Sequence, residues 1–324
     1  ALPGDPARLT MGQRTDLSTL ENVNRELGLD KPKGLQLLMY LNDLSPVSLH
    51  ANDSTNQKKY HYSKLLAVGN NQVLVVKAPY FRTSYQTSRP VGDMLWQALP
   101  NTIVLAVAAM LFALFTGIVI GTVSAIHHHS KLDHSLVLTS VLGISVPSFF
   151  AAILIQWLFA FVFAAYTGLK MTGSLFEPDL YGNDKLMLIN LILPAITLGI
   201  RPVAIITQLT RSSMLDVMSQ DYVRTARAKG LSNAVVMYRH ALRNALNPVL
   251  TAASGWFAEM LAGSFFIEMI FGWNGIGKLT VDALNKNDFP VVMGSVLLSA
   301  AVFVLINLLT DILYGVLDPR VRKG

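Results

Sequence analysis

Apolar residues dominate five long windows of this chain, and charges almost vanish inside them. The windows run from about Pro100 to Ile126, Ser135 to Tyr166, Leu186 to Thr210, Leu246 to Phe271 and Phe289 to Leu317. A helix that crosses the hydrocarbon core of a bilayer needs about 20 mostly apolar residues, so each window predicts one span. The second is long enough for a tilted or broken helix, and Pro147, which lacks an N–H and clashes with the preceding turn, is its expected break. The fold class predicted is an all-α polytopic membrane protein with five spans visible. Four charges fall inside the windows: Arg201, Glu259, Glu268 and Asp311.

Composition agrees with that pattern. Only 14% of the residues are charged and 52% are hydrophobic, against about 25% charged in an ordinary soluble domain. The chain has no cysteine, which excludes disulfides, thiolate metal sites and a cysteine nucleophile. No Gly-x-x-x-x-Gly-Lys-Ser/Thr loop is present, so any ATP is bound by another subunit. No cofactor is expected.

Basic residues in short loops mark the cytoplasmic side. Arg211 to Arg243 holds Arg211, Arg224, Arg227, Lys229, Arg239 and Arg243 against Asp216 and Asp221, and the tail adds Arg320, Arg322 and Lys323. Both segments are therefore expected in the cytoplasm, with the C-terminus. Strict alternation puts the loops Gly168 to Lys185 and Gly272 to Asp288 outside, together with residues 1–99. The latter carry eleven Lys and Arg against eight Asp and Glu, and long translocated segments obey the charge rule poorly. Within residues 1–99, Leu35 to Leu44 and Leu65 to Val76 are apolar enough to pack, while residues 45–60, rich in Ser, Asn, Asp and Lys, read as a mobile excursion. An external start and an internal end across five spans call for a cleaved signal or a further helix before Ala1, and the helix is the reading favoured here.

The cytoplasmic loop, about residues 211–245, carries the strongest local pattern. It reads Asp221-Tyr-Val-Arg-Thr-Ala-Arg-Ala-Lys-Gly230-Leu-Ser-Asn, then Tyr238-Arg-His-Ala-Leu-Arg-Asn-Ala-Leu-Asn-Pro248. Helix formers run to Lys229, Gly230 suits a left-handed C-terminal turn, and Ser232 or Asn233 can cap a second short helix. A helix-turn-helix elbow follows. Its flanking spans pin it to the bilayer, which argues against nucleic acid as a partner, and a docking element for a soluble engine is the sharper reading.

This stretch resembles the Glu-Ala-Ala coupling loop of bacterial ABC importer permeases, and in detail it is similar to the dipeptide, oligopeptide and nickel permease family. Arg224-Thr225-Ala226 occupies the place of the Glu-Ala-Ala triplet, and Arg243 stands where many members have proline. Similarity extends along nearly the whole chain. Leu2-Pro-Gly-Asp-Pro6 resembles the segment after the family's first membrane helix. Arg89-Pro-Val with Leu99-Pro-Asn-Thr-Ile103 resembles the start of the second, and Ser145-Val-Pro-Ser-Phe149 the broken third. Phe271-Gly-Trp-Asn-Gly-Ile-Gly277 and Asp288-Phe-Pro290 resemble the external turn before the last helix, with Asn274 where proline is usual. Asp311 and Leu317-Asp-Pro-Arg-Val-Arg322 match the C-terminal signature. The polar stretch from about Pro46 to Lys77 reads as an insertion.

The resemblance implies an ABC importer transmembrane-domain fold over residues 100–324, with residues 1–99 extracytoplasmic between a first helix and the next. It implies a multi-pass permease of the bacterial inner membrane that imports short peptides and is not itself an enzyme. The implied partners are a homologous second permease, two ATP-binding subunits, an extracytoplasmic solute-binding protein and membrane lipid. Asp221, Arg224, Thr225, Ala226, Lys229, Gly230, Leu231 and His240 are the expected ATPase-coupling residues. Import of nickel or another small solute is the alternative within the family.

Rival classes fit less well. A secondary transporter places coupling charges near the midplane, where Arg201 and Glu259 lie, but does not need a docking elbow. An intramembrane protease needs a Ser-His or paired-Asp constellation within the spans, and Asp311 is the only Asp in a window. His127, His128, His129 and His134 could suggest a metal, yet adjacent histidines do not project together from a helix. Arg201 and Glu259 fall about 13 and about 20 Å from the inner ends of their spans, close enough to predict an ion pair that locks the two helices.

Overall fold

A computed structural model describes residues 30–68, 71–179 and 181–317. Leu2 to Pro6, the tail basic residues and most of the C-terminal signature lie outside the described residues, as does the expected helix before Ala1.

The chain divides into two units, Ala1–Gln97 with Leu279–Val296, and Ala98–Lys278 with Leu297–Gly324. In the first, α1 (Lys33–Leu44) leads into β1 (Val47–Ala51), α2 (Ser54–Tyr60), β2 (Ser63–Val68) and β3 (Gln72–Val76). The strands form an antiparallel sheet in the order β1-β3-β2, with Leu49 opposite Leu74 and Leu66 also opposite Leu74. The expected mobile excursion over residues 45–60 is thus a strand and a helix. Two local devices order it: Asp53 caps α2 by accepting from the Asn56 N–H at 2.6 Å, and Ser48 and His50 turn inward on β1, joined at 3.0 Å. The alternation is inverted, with polar Ser48 and His50 buried and Val47 and Leu49 exposed, so its apolar positions do not mark the inner face. The packing expected of Leu35 to Leu44 is partial: Tyr40 and Asp43 are buried, whereas Leu37 and Leu38 are exposed.

Asp43 organises this unit. Its carboxylate accepts from the Tyr60 hydroxyl at 3.0 Å and from Arg82 Nε at 3.1 Å, and Lys77 donates to its carbonyl. Asp288, of the Asp288-Phe-Pro290 segment, does similar work by accepting from the Ser84 hydroxyl and from the Tyr85 N–H.

The second unit is helical. Its elements are α3 (Val91–Ile126, which begins in the first unit), α4 (Lys131–Ser145), α5 (Ser148–Trp157) with a π-helical turn and the short α6 (Ala164–Thr167), then a hairpin of β4 (Phe176–Pro178) and β5 (Asp184–Leu186). The long α7 (Ile192–Met218) follows, then α8 (Asp221–Ala228), α9 (Asn233–Val235), a π-helical stretch, α10 (Arg243–Gly263) and α11 (Phe265–Phe271); α12 (Ile276–Asn285) belongs to the first unit from Leu279 on, and α13 (Phe289–Leu317) to the first unit up to Val296 and to the second beyond it. Among the described residues three helices are long and apolar enough to cross a membrane, Val91–Ile126, Leu188–Met218 and Phe289–Ile312, and two bent pairs bring the number to five if each is one span. One pair, α4 with α5, turns by 107° at Val146-Pro147; the other turns by 57° before α11. The break at Pro147 agrees with the sequence. The break at Ser264 was not expected, because the window from Leu246 to Phe271 contains no internal proline after Pro248.

The core of this unit joins α3, α7 and α10 through Leu105, Ala109, Ile206, Val249, Ala253 and Met260. Small residues let the backbones approach: a Cβ on Gly117 would lie 2.6 Å from Ile206 Cγ2, and one on Gly121 2.6 Å from the Thr207 carbonyl. Spaced four apart on α3, these two glycines form the small-residue stripe that membrane helices use to pack closely.

Candidate functional site

The elbow is built from a short amphipathic helix. On α8, Val223 and Ala226 are three residues apart and share a face, and they pack with Val236 and with Val217 at the end of α7. Gly230 ends α8 with φ +76°. Its N–H donates to the Arg227 carbonyl at 2.9 Å while the Leu231 N–H reaches the Ala226 carbonyl at 3.4 Å, the two bonds of a Schellman closure. The left-handed turn expected at Gly230 is present. Ser232 precedes α9 in extended conformation but makes no side-chain cap. The second helix is not short: α9, the π-helical Val236–Leu242 and α10 run on as one helix to Gly263. The elbow is therefore the end of a long apolar helix, continuous with it. Asn244 Nδ2 donates to the Tyr222 hydroxyl at 2.8 Å and ties α8 to that span.

Of the eight residues expected at this site, Asp221, Arg224, Thr225, Lys229, Gly230 and Leu231 are exposed along α8 and its turn, and His240 is half-buried in the π-helical stretch. Ala226 is buried and serves the elbow's own core. Arg224 and Asp221 make an exposed pair at 3.5 Å, a geometry of little energetic weight.

The four charges inside the windows do not form one group. Arg201 on α7 and Glu259 on α10 line one cavity of about 90 Å³ with Ser148, Thr197, Trp256 and Phe266. The predicted ion pair is absent: among the described residues no hydrogen bond or ion pair joins them. The Arg201 guanidinium stands over the Trp256 ring instead, 5.9 Å from its centroid. Asp311 is exposed on α13.

Glu268 has a different role from the other three. It is fully buried on α11 and accepts from the Ser264 hydroxyl at 2.6 Å, the Thr102 hydroxyl at 2.8 Å and the Lys278 N–H at 3.2 Å. Thr102 also accepts from the Ile276 N–H at 2.8 Å, and the buried Trp273 donates from Nε1 to the Asn101 carbonyl at 2.9 Å. The turn Phe271 to Gly277 is thereby fastened to α3. Asn101 and Thr102 belong to the Leu99-Pro-Asn-Thr-Ile103 segment read as a helix start, but their partners are not legible in the sequence, because each acts on a group more than 160 positions away.

Straight and broken apolar helices, with an elbow closing one of them, define a multi-pass helical membrane protein. Residues 117–323 match the family described as binding-protein-dependent transport system inner membrane component, and the chain belongs to that family. It is 34% identical to the dipeptide transport system permease protein DppB of Alkalihalophilus pseudofirmus, over 99% of this chain and 91% of that one. It is 36% identical to the di/tripeptide transport system permease protein DppB of Pseudomonas aeruginosa, over 99% and 90%, and 34% identical to the oligopeptide transport system permease protein AppB of Bacillus subtilis, over 99% and 91%. Among solved structures, an inward-facing form of the MetNI methionine ABC transporter aligns with a TM-score of 0.57 at 14% identity, over 72% of this chain and all of that chain. That likeness concerns the fold. The resemblance read from the coupling loop and its companion segments is borne out.

Proposed function

We propose that this chain is the permease subunit of an ATP-driven importer of short peptides. The observation that carries this reading is similarity over 99% of the chain to permeases named for dipeptide, di/tripeptide and oligopeptide transport; those names favour peptides over nickel. The chain works with a second, homologous permease, two ATP-binding subunits and an extracytoplasmic solute-binding protein. Residues 1–99 lie outside the cytoplasm, the segment 211–245 and the C-terminus inside it.

The elbow's geometry suits coupling. Asp221, Arg224, Thr225, Lys229 and Leu231 offer an exposed surface to an ATPase, while Val223, Ala226 and Val236 keep α8 fixed to the ends of α7 and α10. A push on α8 passes into two spans at once, because α8 packs against the end of α7 and the helix that becomes α10 starts at the elbow. ATPase closure then rocks those helices between inward- and outward-open packings, a bistable change of helix arrangement. The chain transmits work and performs no chemistry.

The test is uptake by proteoliposomes holding the complete complex. Labelled dipeptide should accumulate with ATP and fail to accumulate without it. Accumulation of nickel but not dipeptide would overturn the peptide reading.

A further inference from the structure

The cavity between α7 and α10 holds two charges of opposite sign that, among the described residues, form no ion pair with each other. Arg201 and Glu259 sit on helices that share one core, both side chains line the same space, and both residues are exposed. A charge at membrane depth is costly unless it is paired or faces water, so two unpaired ones on one wall mark a wet surface and not a lipid-facing one. Trp256 holds the guanidinium from one side by a cation–π contact. Met260, Phe266 and Leu198 make the surface around the charges apolar, and Ser148 contributes from the first turn of α5, directly after the Pro147 break. The chemistry that matches is a small molecule with an anionic end, a cationic end and apolar matter between them.

We propose that this cavity is a way station on the solute path that reads both ends of a zwitterionic peptide, Arg201 taking the carboxylate and Glu259 the ammonium group. The inference rests on the peptide-importer reading and adds a discriminating site to it. A planar guanidinium receives a carboxylate through two parallel hydrogen bonds, and Glu259, with no basic partner among the described residues, can accept an ammonium ion. Holding each end by one charge, without enclosing the whole peptide, gives binding that is specific yet easily released, as passage requires.

The test compares uptake of a labelled dipeptide with its C-amidated and N-acetylated forms by the complete complex in proteoliposomes. The preferences of the solute-binding subunit are common to every permease variant and cancel when ratios are compared. Arg201→Gln should lower the ratio of free to amidated uptake about tenfold and leave the ratio of free to acetylated uptake unchanged, the size expected for one charged hydrogen-bonded contact. Glu259→Gln should do the converse, and Arg201→Lys should retain most of the first ratio. A second measurement needs no modified peptide: Ser148→Cys, in this cysteine-free chain, should react with a water-soluble maleimide, and dipeptide should slow that reaction during turnover. Wild-type uptake of dipeptide with unchanged ratios in both Gln variants overturns the way station and leaves the importer reading intact. So does labelling at position 148 that dipeptide does not slow. Failure of the wild-type complex to take up any dipeptide overturns both.

Discussion

Arg211 grips Asp133 with two nitrogens, Nε on Oδ1 and Nη2 on Oδ2, each at 2.7 Å. The same carboxylate accepts from the Ser124 hydroxyl and from the His129 N–H at 3.1 Å. Three segments meet there: the end of α3, the start of α4 and the lower half of α7. The Asp133 side chain is only 2% exposed and that of Arg211 25%, so the pair is far from a surface bridge. Arg211→Leu strands a buried carboxylate and should destabilise the permease by about 3 kcal/mol. Removing both charges with Asp133→Leu and Arg211→Leu should cost less than the sum of the single changes. Apparent melting temperatures of the detergent-purified complex check this, and additive losses would mean that the pair is not a unit.

What the sequence made legible is what acts locally. Charge-poor windows located the long apolar helices, Pro147 marked a break because proline cannot complete the ladder at its own position, and Gly230 marked the elbow because the turn depends on its own φ. The rest depends on which direction a helix faces. Residue counting gave the heights of Arg201 and Glu259 along their spans, but each step along a helix turns a side chain by about 100°, and no count reveals where the two point. They share a cavity and do not touch. Asp133 and Arg211 were invisible for the same reason, and Arg211 entered the charge count of the cytoplasmic loop although Asp133 neutralises it. The sheet was missed because β1 buries Ser48 and His50 and exposes Val47 and Leu49, the reverse of the pattern that betrays a strand.

That reversal carries a pH dependence. His50 stacks on Tyr60 with centroids 4.2 Å apart and lies parallel to Tyr62 at 6.1 Å. Burial pushes its pKa below the ordinary histidine value, the positive charges of Lys77 and Lys59 push in the same direction, and Asp43 opposes them. The folded sheet therefore binds its proton less readily than the unfolded chain does. Stability contributed here is unaffected above about pH 6.5 and falls as the pH drops below it, where only the unfolded form gains the proton. Hydrogen exchange corrected for intrinsic rates should show the β1–β3 amides opening more readily at about pH 5.5 than at about pH 7.5. His50→Asn should flatten that dependence, and an unchanged slope in this variant would assign the effect to another group.

Orientation can be tested without background, since the chain contains no cysteine. Ser219 is exposed at the foot of α7 and Asn183 is exposed in the β4–β5 hairpin, where its N–H donates to Asp179 at 2.9 Å. A cysteine at position 219 should react with an impermeant thiol reagent only from the cytoplasmic side, and one at 183 only from outside. Labelling in the opposite sense would invert the topology and move the elbow away from any cytoplasmic ATPase.

Gly230 separates backbone conformation from steric contact. A Cβ placed there would meet no atom within 4 Å, so a substitution is not resisted by crowding. It is resisted by φ +76°, which costs an L-residue about 1–2 kcal/mol and is borne best by Asn. Gly230→Val should therefore shift the Schellman turn and with it the angle between α8 and α9, while Gly230→Asn should keep both. Membrane insertion depends on the spans and should be normal in each variant. In reconstituted complexes, Gly230→Val should lower peptide uptake per ATP hydrolysed by about tenfold, the equivalent of about 1.4 kcal/mol, and Gly230→Asn should stay near wild type. The contrast between the two is what matters, because both add bulk to the same open space. Equal losses in both would point to a surface contact at Gly230, and unimpaired coupling in Gly230→Val would show that the turn's shape does not carry the stroke.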